Sequence, residues 1–239
     1  MWNTINKAIE TFDGWLWGLP LILLIILGGI WLTIRLHGVQ FHKLGLALKY
    51  MVKNESGGEG EVTSFGALCT ALSATIGTGN IVGVATAMAV GCPGALFWME
   101  VAALFGMATK YTEGLLAIKF RTFDSAGHVL GGPFYYIENG MGKRWKFLGK
   151  MFAVFGIGAG LLGIGTITQI NGITSAANNF FNGDAAKHIH LFGHDYSIVT
   201  IIAGLLVTIF AALVIIGGLE SISKVSQVIV PFMAVAYVL

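Results

Sequence analysis

Hydrophobic positions in this chain come in long blocks separated by short polar stretches. Leu16–Leu36 is a block of about 20 residues, enough for one membrane crossing, and Trp15 and Trp17 introduce it as interfacial anchors. Residues 2–14 read as a mildly polar tail. The period then changes. Between Val39 and Lys53, Phe41, Leu44, Leu48 and Met51 recur every three or four residues while Lys43, Lys49 and Lys53 stay off that stripe. This predicts an amphipathic helix on the membrane surface, followed by a polar linker at Asn54–Glu61. Further spans are expected at 65–90, 95–118, 151–177 and 197–217, and a sixth starts near Val228. That last span is expected to continue beyond Leu239, so the chain reads as incomplete. The predicted organisation is a tail and leading helix over 1–36, a surface segment over 37–62, and five spans over 63–239.

Composition supports a membrane protein. Of the 239 residues, 55% are hydrophobic and 11% charged, against about 25% charged in soluble domains. The fold class is an all-α integral membrane protein. A net charge of +2 offers nothing to nucleic acid. Glu10 and Asp13 precede the first apolar block and no small-residue cleavage site follows it, so it is not a signal peptide. Cys69 and Cys92 fall on one expected crossing, roughly 35 Å apart at the helical rise, too far for a disulfide. With the loop at 35–62 taken as cytoplasmic, twelve Lys and Arg lie inside and only Lys7 and Lys187 outside. The N-terminus is therefore expected outside.

The span at 65–90 is the unusual one. Gly66, Gly77, Gly79 and Gly83 punctuate it, and its middle reads Thr75-Ile76-Gly77-Thr78-Gly79-Asn80, polar but uncharged. Each glycine costs a helix roughly 1 kcal/mol relative to alanine. Backbone that opens at membrane depth is tolerated only inside protein or beside a cavity. A half-helix starting near Asn80 would point its positive end at the gap and suit a carboxylate. The carbonyls of Ser73, Ala74, Thr75 and Ile76 on the opposing half would suit a small cation. Close helix packing through Gly79-xxx-Gly83 fits the same spacing.

Thr166, Thr168, Gln169 and Asn171 place many polar groups in another span, where they should face a cavity or bind a neighbouring helix. Glu100 stands a turn or two from the outer end of its expected span, which leaves two readings, a carboxylate that reaches the interface or an intramembrane one that couples protons, whereas Glu113 has Lys110 three residues away as a partner. His188, His190 and His194 could hold a metal only with Asp195 completing the shell, and a solvated loop is the simpler reading. No HExxH, CxxC or serine–histidine–aspartate pattern occurs, and the spans contain no aspartate. The chain carries no visible catalytic apparatus.

Six segments together resemble the alanine or glycine:cation symporter family of prokaryotes. They are IGTGNIVGVATA (76–87), GCPGALFWMEVAALFG (91–106), MATKYTEGLLA (107–117), GGPFYYIENGMG (131–142), TQINGI (168–173) and GGLESISKVSQVIVPFMAVAYVL (217–239). Two positions depart from the family's pattern: Cys92 stands for a glycine in the usual Gly-Gly-Pro-Gly turn, and Glu100 for a tryptophan. The resemblance implies a LeuT-like inverted-repeat transporter in the prokaryotic inner membrane, of which this chain holds one leading helix and the first five-helix repeat. It implies sodium-coupled import of small neutral amino acids such as alanine and glycine, with Na+ as coupling ion and no cofactor. Carried over, Thr75, Gly77, Thr78, Gly79, Gln169 and Asn171 would bind the amino acid, the backbone near Thr78 and Gly79 holding its carboxylate. Ser73, Ala74, Ile76 and Asn80 would contribute to the sodium site. The rivals are a proton-coupled or other-solute carrier of the same fold, a channel, and a non-transporting amino-acid sensor. The chain leaves the oligomeric state open.

Overall fold

A computed structural model describes residues 2–52, 62–162, 165–181, 188–191 and 194–239. The expected linker at Asn54–Glu61 lies outside them. In chain order the helices are α1 (Trp2–Leu16), α2 (Leu19–Arg35), α3 (Val39–His42), α4 (Leu44–Val52), α5 (Ser64–Thr75) and α6 (Val84–Lys119). Then come α7 (Pro133–Met141), α8 (Lys146–Leu161), α9 (Thr166–Phe181), α10 (Ile198–Ile216) and α11 (Gly218–Val238). The strands are β1 (Thr122–Phe123), β2 (Val129–Leu130), β3 (His188–Leu191) and β4 (His194–Ser197). A π-helical turn, Gly79–Gly83, leads into α6. Among the described residues, five helical segments are long and apolar enough to cross a membrane: Asn3–Arg35, Gly79–Lys119, Lys143–Phe181, Ile198–Ile216 and Gly218–Val238. The protein is all-α in character and multi-pass. The chain divides into two compact units, Met1–Lys49 with Ala87–Gly149, and Tyr50–Thr86 with Lys150–Leu239.

In the first unit the expected N-terminal tail is helical. Ile5, Ile9, Phe12 and Leu16 fall three or four residues apart and give α1 one apolar stripe. The expected surface helix at 39–53 is two short helices that meet at the non-helical Lys43. Gly29 of α2 lets α6 approach closely, since a Cβ there would lie 2.9 Å from Phe105 Cβ. Lys110 and Glu113 of α6 pair at 2.9 Å as their spacing predicts, although both are too exposed for the pair to stabilise much. Burial pushes the Tyr136 phenol above its usual range, and the Glu113 carboxylate pushes it further while Lys110 pulls back.

The turn expected at 91–94 is a kink within α6, where Cys92 adopts φ 55° and ψ −171°. Pro93 explains the site of the kink, because its ring drives the preceding residue out of the helical region. The backbone angles of Cys92 belong to a region that only glycine occupies freely.

In the second unit α5 packs along α11, α9 along α10, and α10 beside α11. Thr63 caps α5 by accepting the Gly66 N–H at 3.0 Å. Over the span expected at 151–177 the described helices are α8 and α9, and Gly165 at the start of α9 has φ +90°. The last helix begins at Gly218, ten residues before the expected Val228. Its polar opening is the face against α5: Ser223, Ser226 and Val230 are buried there, as is Cys69 of α5. A Cβ on Gly66 would meet Ser223 Oγ at 2.5 Å and Gln227 Nε2 at 2.9 Å. Small polar residues thus set the α5–α11 distance.

Replacing Cys92 with glycine removes strain worth about 1–3 kcal/mol and adds unfolded-state entropy worth up to about 1 kcal/mol. Cys92→Gly should therefore raise stability by about 1 kcal/mol, read as a higher thermal midpoint in detergent. An unchanged or lower midpoint would show that the kink does not strain Cys92.

Candidate functional site

Helix α5 stops at Thr75, Ile76 turns extended (φ −83°, ψ 117°), and helical geometry resumes at Thr78. In a continuous helix the Gly77 and Thr78 amides would bond to the Ser73 and Ala74 carbonyls. Here they bond to side chains. Gly77 N–H donates to Asn80 Oδ1 at 3.0 Å, and Thr78 N–H donates to Gln169 Oε1 of α9 at 3.1 Å. Asn80 N–H returns to the Gly77 carbonyl at 3.0 Å, closing a tight turn. Two side-chain amides thus replace helical carbonyls, and the Ser73 and Ala74 oxygens lose those helical partners. Paired hard oxygens at a helix end match a small hard cation by the chemistry of the donors.

Local sequence positions each part. Gln169 sits in the first turn of α9, with its own N–H bonded to the Gly165 carbonyl at 3.1 Å. Gly77 has no room for a Cβ, which would fall on the Gln169 amide. One turn along α9, Gly172 leaves space for Thr78, whose Cγ2 would lie 2.7 Å from a Cβ there. Gly79 and Gly83 differ, because a Cβ on either would meet no atom within 4 Å among the described residues. Packing inside this unit therefore accounts for Gly77 and Gly172, and leaves the glycine at Gly79 to another purpose.

The other expected residues divide. Ser73 reaches α11, where Ser226 Oγ donates to Ser73 Oγ at 3.1 Å, and Thr75 Oγ1 turns back to the Ala71 carbonyl at 2.8 Å. Ile76 and Asn80, with Ile81, face Val230, Met233 and Tyr237 of α11 across a cavity of about 370 Å³. Asn171 is not brought to the break. It is exposed and two residues past Gln169, which puts it on the far side of α9. Glu100 is exposed on α6 in the first unit and has no ion-pair partner among the described residues. His190 pairs with Asp195 at 2.8 Å across the β3–β4 hairpin, and no cluster of three metal-ligating side chains forms among the described residues.

Ser223, Ser226, Gln227 and Gly172 were not anticipated. The signal for the α11 set was a spacing of three, one and then three residues to Val230, a helical stripe of small polar side chains.

The profile of the sodium:alanine symporter family matches residues 2–239, nearly the whole chain. The chain belongs to that family. The family is one of transporters, not enzymes. An uncharacterised transporter of Haemophilus influenzae is 48% identical over 98% of this chain and 48% of its own length. The sodium/alanine symporter AgcS of Methanococcus maripaludis is 46% identical over 98% of the chain and 49% of its own. A putative sodium/proton-dependent alanine carrier of Bacillus subtilis, YrbD, is 34% identical over 97% and 44% respectively. The chain spans about half the length of these relatives. In this member of the sodium:alanine symporter family, the break and its two amide side chains lie within one compact unit.

The glycines at the break give a paired prediction. Gly77→Ala should force the Gln169 amide off Thr78 and destabilise by about 1–3 kcal/mol. Gly83→Ala, with open space around it, should be neutral or stabilise by up to about 1 kcal/mol. Thermal midpoints of the two purified variants check this, and equal shifts would contradict the packing described here.

Proposed function

We propose that the intact protein is a secondary transporter that imports a small neutral amino acid, alanine or glycine, together with sodium by alternating access. One observation carries the reading: in a sodium:alanine symporter family member the helix breaks at Ile76–Gly77, and the Gly77 and Thr78 amides leave the helical ladder for exchangeable side-chain acceptors. The amides at Thr78 and Gly79 take the substrate carboxylate at the start of the second half-helix. Gly79, free of packing, allows the ligand to approach the backbone. Thr75, Gly77 and Gln169 complete the wall, and Asn171 takes part only if α9 turns. The carbonyls of Ser73, Ala74 and Ile76, with the Asn80 side chain, hold sodium. A negative interior drives uptake, one positive charge moving inward being worth about 2.3 kcal/mol per 100 mV.

In this reading the fold is LeuT-like, α1–α2 form the leading helix, and the spans from α5 onward form the first repeat in the inner membrane with the N-terminus outside. A relative named as a sodium/proton-dependent carrier favours one second reading, proton coupling, with Glu100 as its carboxylate.

Proteoliposomes bearing the intact protein should accumulate labelled alanine above equilibrium with an inward sodium gradient, and should lose this with potassium. Asn80→Leu, which removes the oxygen that holds the Gly77 amide, should reduce sodium-driven uptake at least tenfold, the loss of about one hydrogen bond to a charged group at about 1.4 kcal/mol per decade. Accumulation that follows a pH gradient and ignores sodium, and that Glu100→Gln abolishes, would replace sodium coupling with the second reading.

A further inference from the structure

In the structure the Thr78 amide is engaged: Gln169 Oε1 accepts its proton at 3.1 Å. That amide is one of the two proposed to take the substrate carboxylate, so the role inferred for Gln169 rests on the transport reading. A side-chain amide oxygen is a neutral counterpart of one carboxylate oxygen, with the same in-plane lone pairs. The surroundings are shaped to it. Gly77 leaves room for the Gln169 amide and Gly172 for the Thr78 methyl. Asn80 already serves the Gly77 amide at 3.0 Å, so Gln169 attends to Thr78 alone.

We propose that Gln169 is an exchangeable stand-in for the substrate carboxylate. Before substrate arrives its carbonyl occupies the Thr78 N–H, which is then never unpaired in apolar surroundings. An arriving carboxylate displaces it, because a hydrogen bond to an ionised acceptor is shorter and stronger than one to a neutral carbonyl. The released side chain then donates an Nε2–H to the second carboxylate oxygen. No bond is made or broken beyond hydrogen bonds. The exchange also selects its cargo, since a solute without a carboxylate cannot displace the stand-in. Gln169 in this account is a positioning and specificity residue, and it acts before the substrate is held as well as after.

Gln169→Glu in the intact protein tests this, because it replaces the neutral stand-in with an ionised one that does not yield. The elements around the break, α5, α9, α10 and α11, carry Cys69, Glu220, Lys224 and Tyr237 as titratable groups. Glu220 and Lys224 pair with each other at 2.9 Å, and none of the four bonds to Gln169 among the described residues. The introduced carboxyl would therefore titrate on its own. Its anion competes with substrate at high pH, and protonation removes the competitor. Relative to wild type at each pH, apparent alanine affinity should be at least roughly tenfold lower near pH 8 and recover only as the pH falls to and below the ordinary glutamate value of about 4.3. A ratio that stays flat with pH overturns the proposal.

Gln169→Asn is the milder change, an amide too short to reach Thr78, and acetate is its probe. With the stand-in gone, acetate should inhibit alanine uptake roughly tenfold more strongly than in wild type. Equal inhibition overturns the proposal even if the glutamate variant fails to fold. If wild-type protein shows no sodium-driven alanine uptake, the transport reading fails and the stand-in falls with it. With wild-type uptake intact, a flat pH ratio removes the stand-in alone.

Discussion

Two backbone amides, Gly77 N–H and Thr78 N–H, constrain the rest of the second unit. The helix that would have used them ends at Thr75, and a backbone amide left unpaired inside protein is costly. Asn80 and Gln169 take them at 3.0 and 3.1 Å. That requirement brings α9 against the break, demands glycine at Gly77 and Gly172, and leaves the Ser73 and Ala74 carbonyls for another partner. The geometry of the break thus arises from the need to pair these amides.

The α5–α11 seam supports this arrangement from the other side. Small residues set the spacing there, with Gly66 against Ser223 and Ser73 against Ser226. Lipid tails are as apolar as leucine, so helices in a membrane gain more from close contact and shared hydrogen bonds than from excluding water. Small polar side chains satisfy both requirements. The same seam continues towards Val230 and Tyr237, which border the cavity beside Asn80. One helix therefore holds α5 in place and lines the space next to the break.

Much of this was legible in the sequence, and the failures share a cause. The break was readable because glycines at 77 and 79 beside Thr78 and Asn80 make a weak helix in a place where weak helices are costly. The Lys110–Glu113 pair followed from spacing alone. Hydropathy misled where polar residues are helical. It placed the start of the last span near Val228, although Ser223 and Ser226 before it are buried against α5, and it read residues 2–14 as a tail despite the stripe from Ile5 to Leu16. Asn171 drew attention as a polar residue near Gln169, but a helix separates neighbours two apart, and Gly172 holds the position that meets Thr78. A glycine that receives a side chain from elsewhere leaves no trace in its own sequence.

On the proposed mechanism the opened backbone at Ile76–Gly79 binds the amino acid. The most direct test is a structure of the intact protein determined with alanine and sodium. The alanine carboxylate should lie within hydrogen-bond distance of the Thr78 and Gly79 amides, at about 2.7–3.2 Å, with the Gln169 oxygen moved off Thr78. Alanine bound elsewhere, with the Gln169–Thr78 bond unchanged, would contradict it.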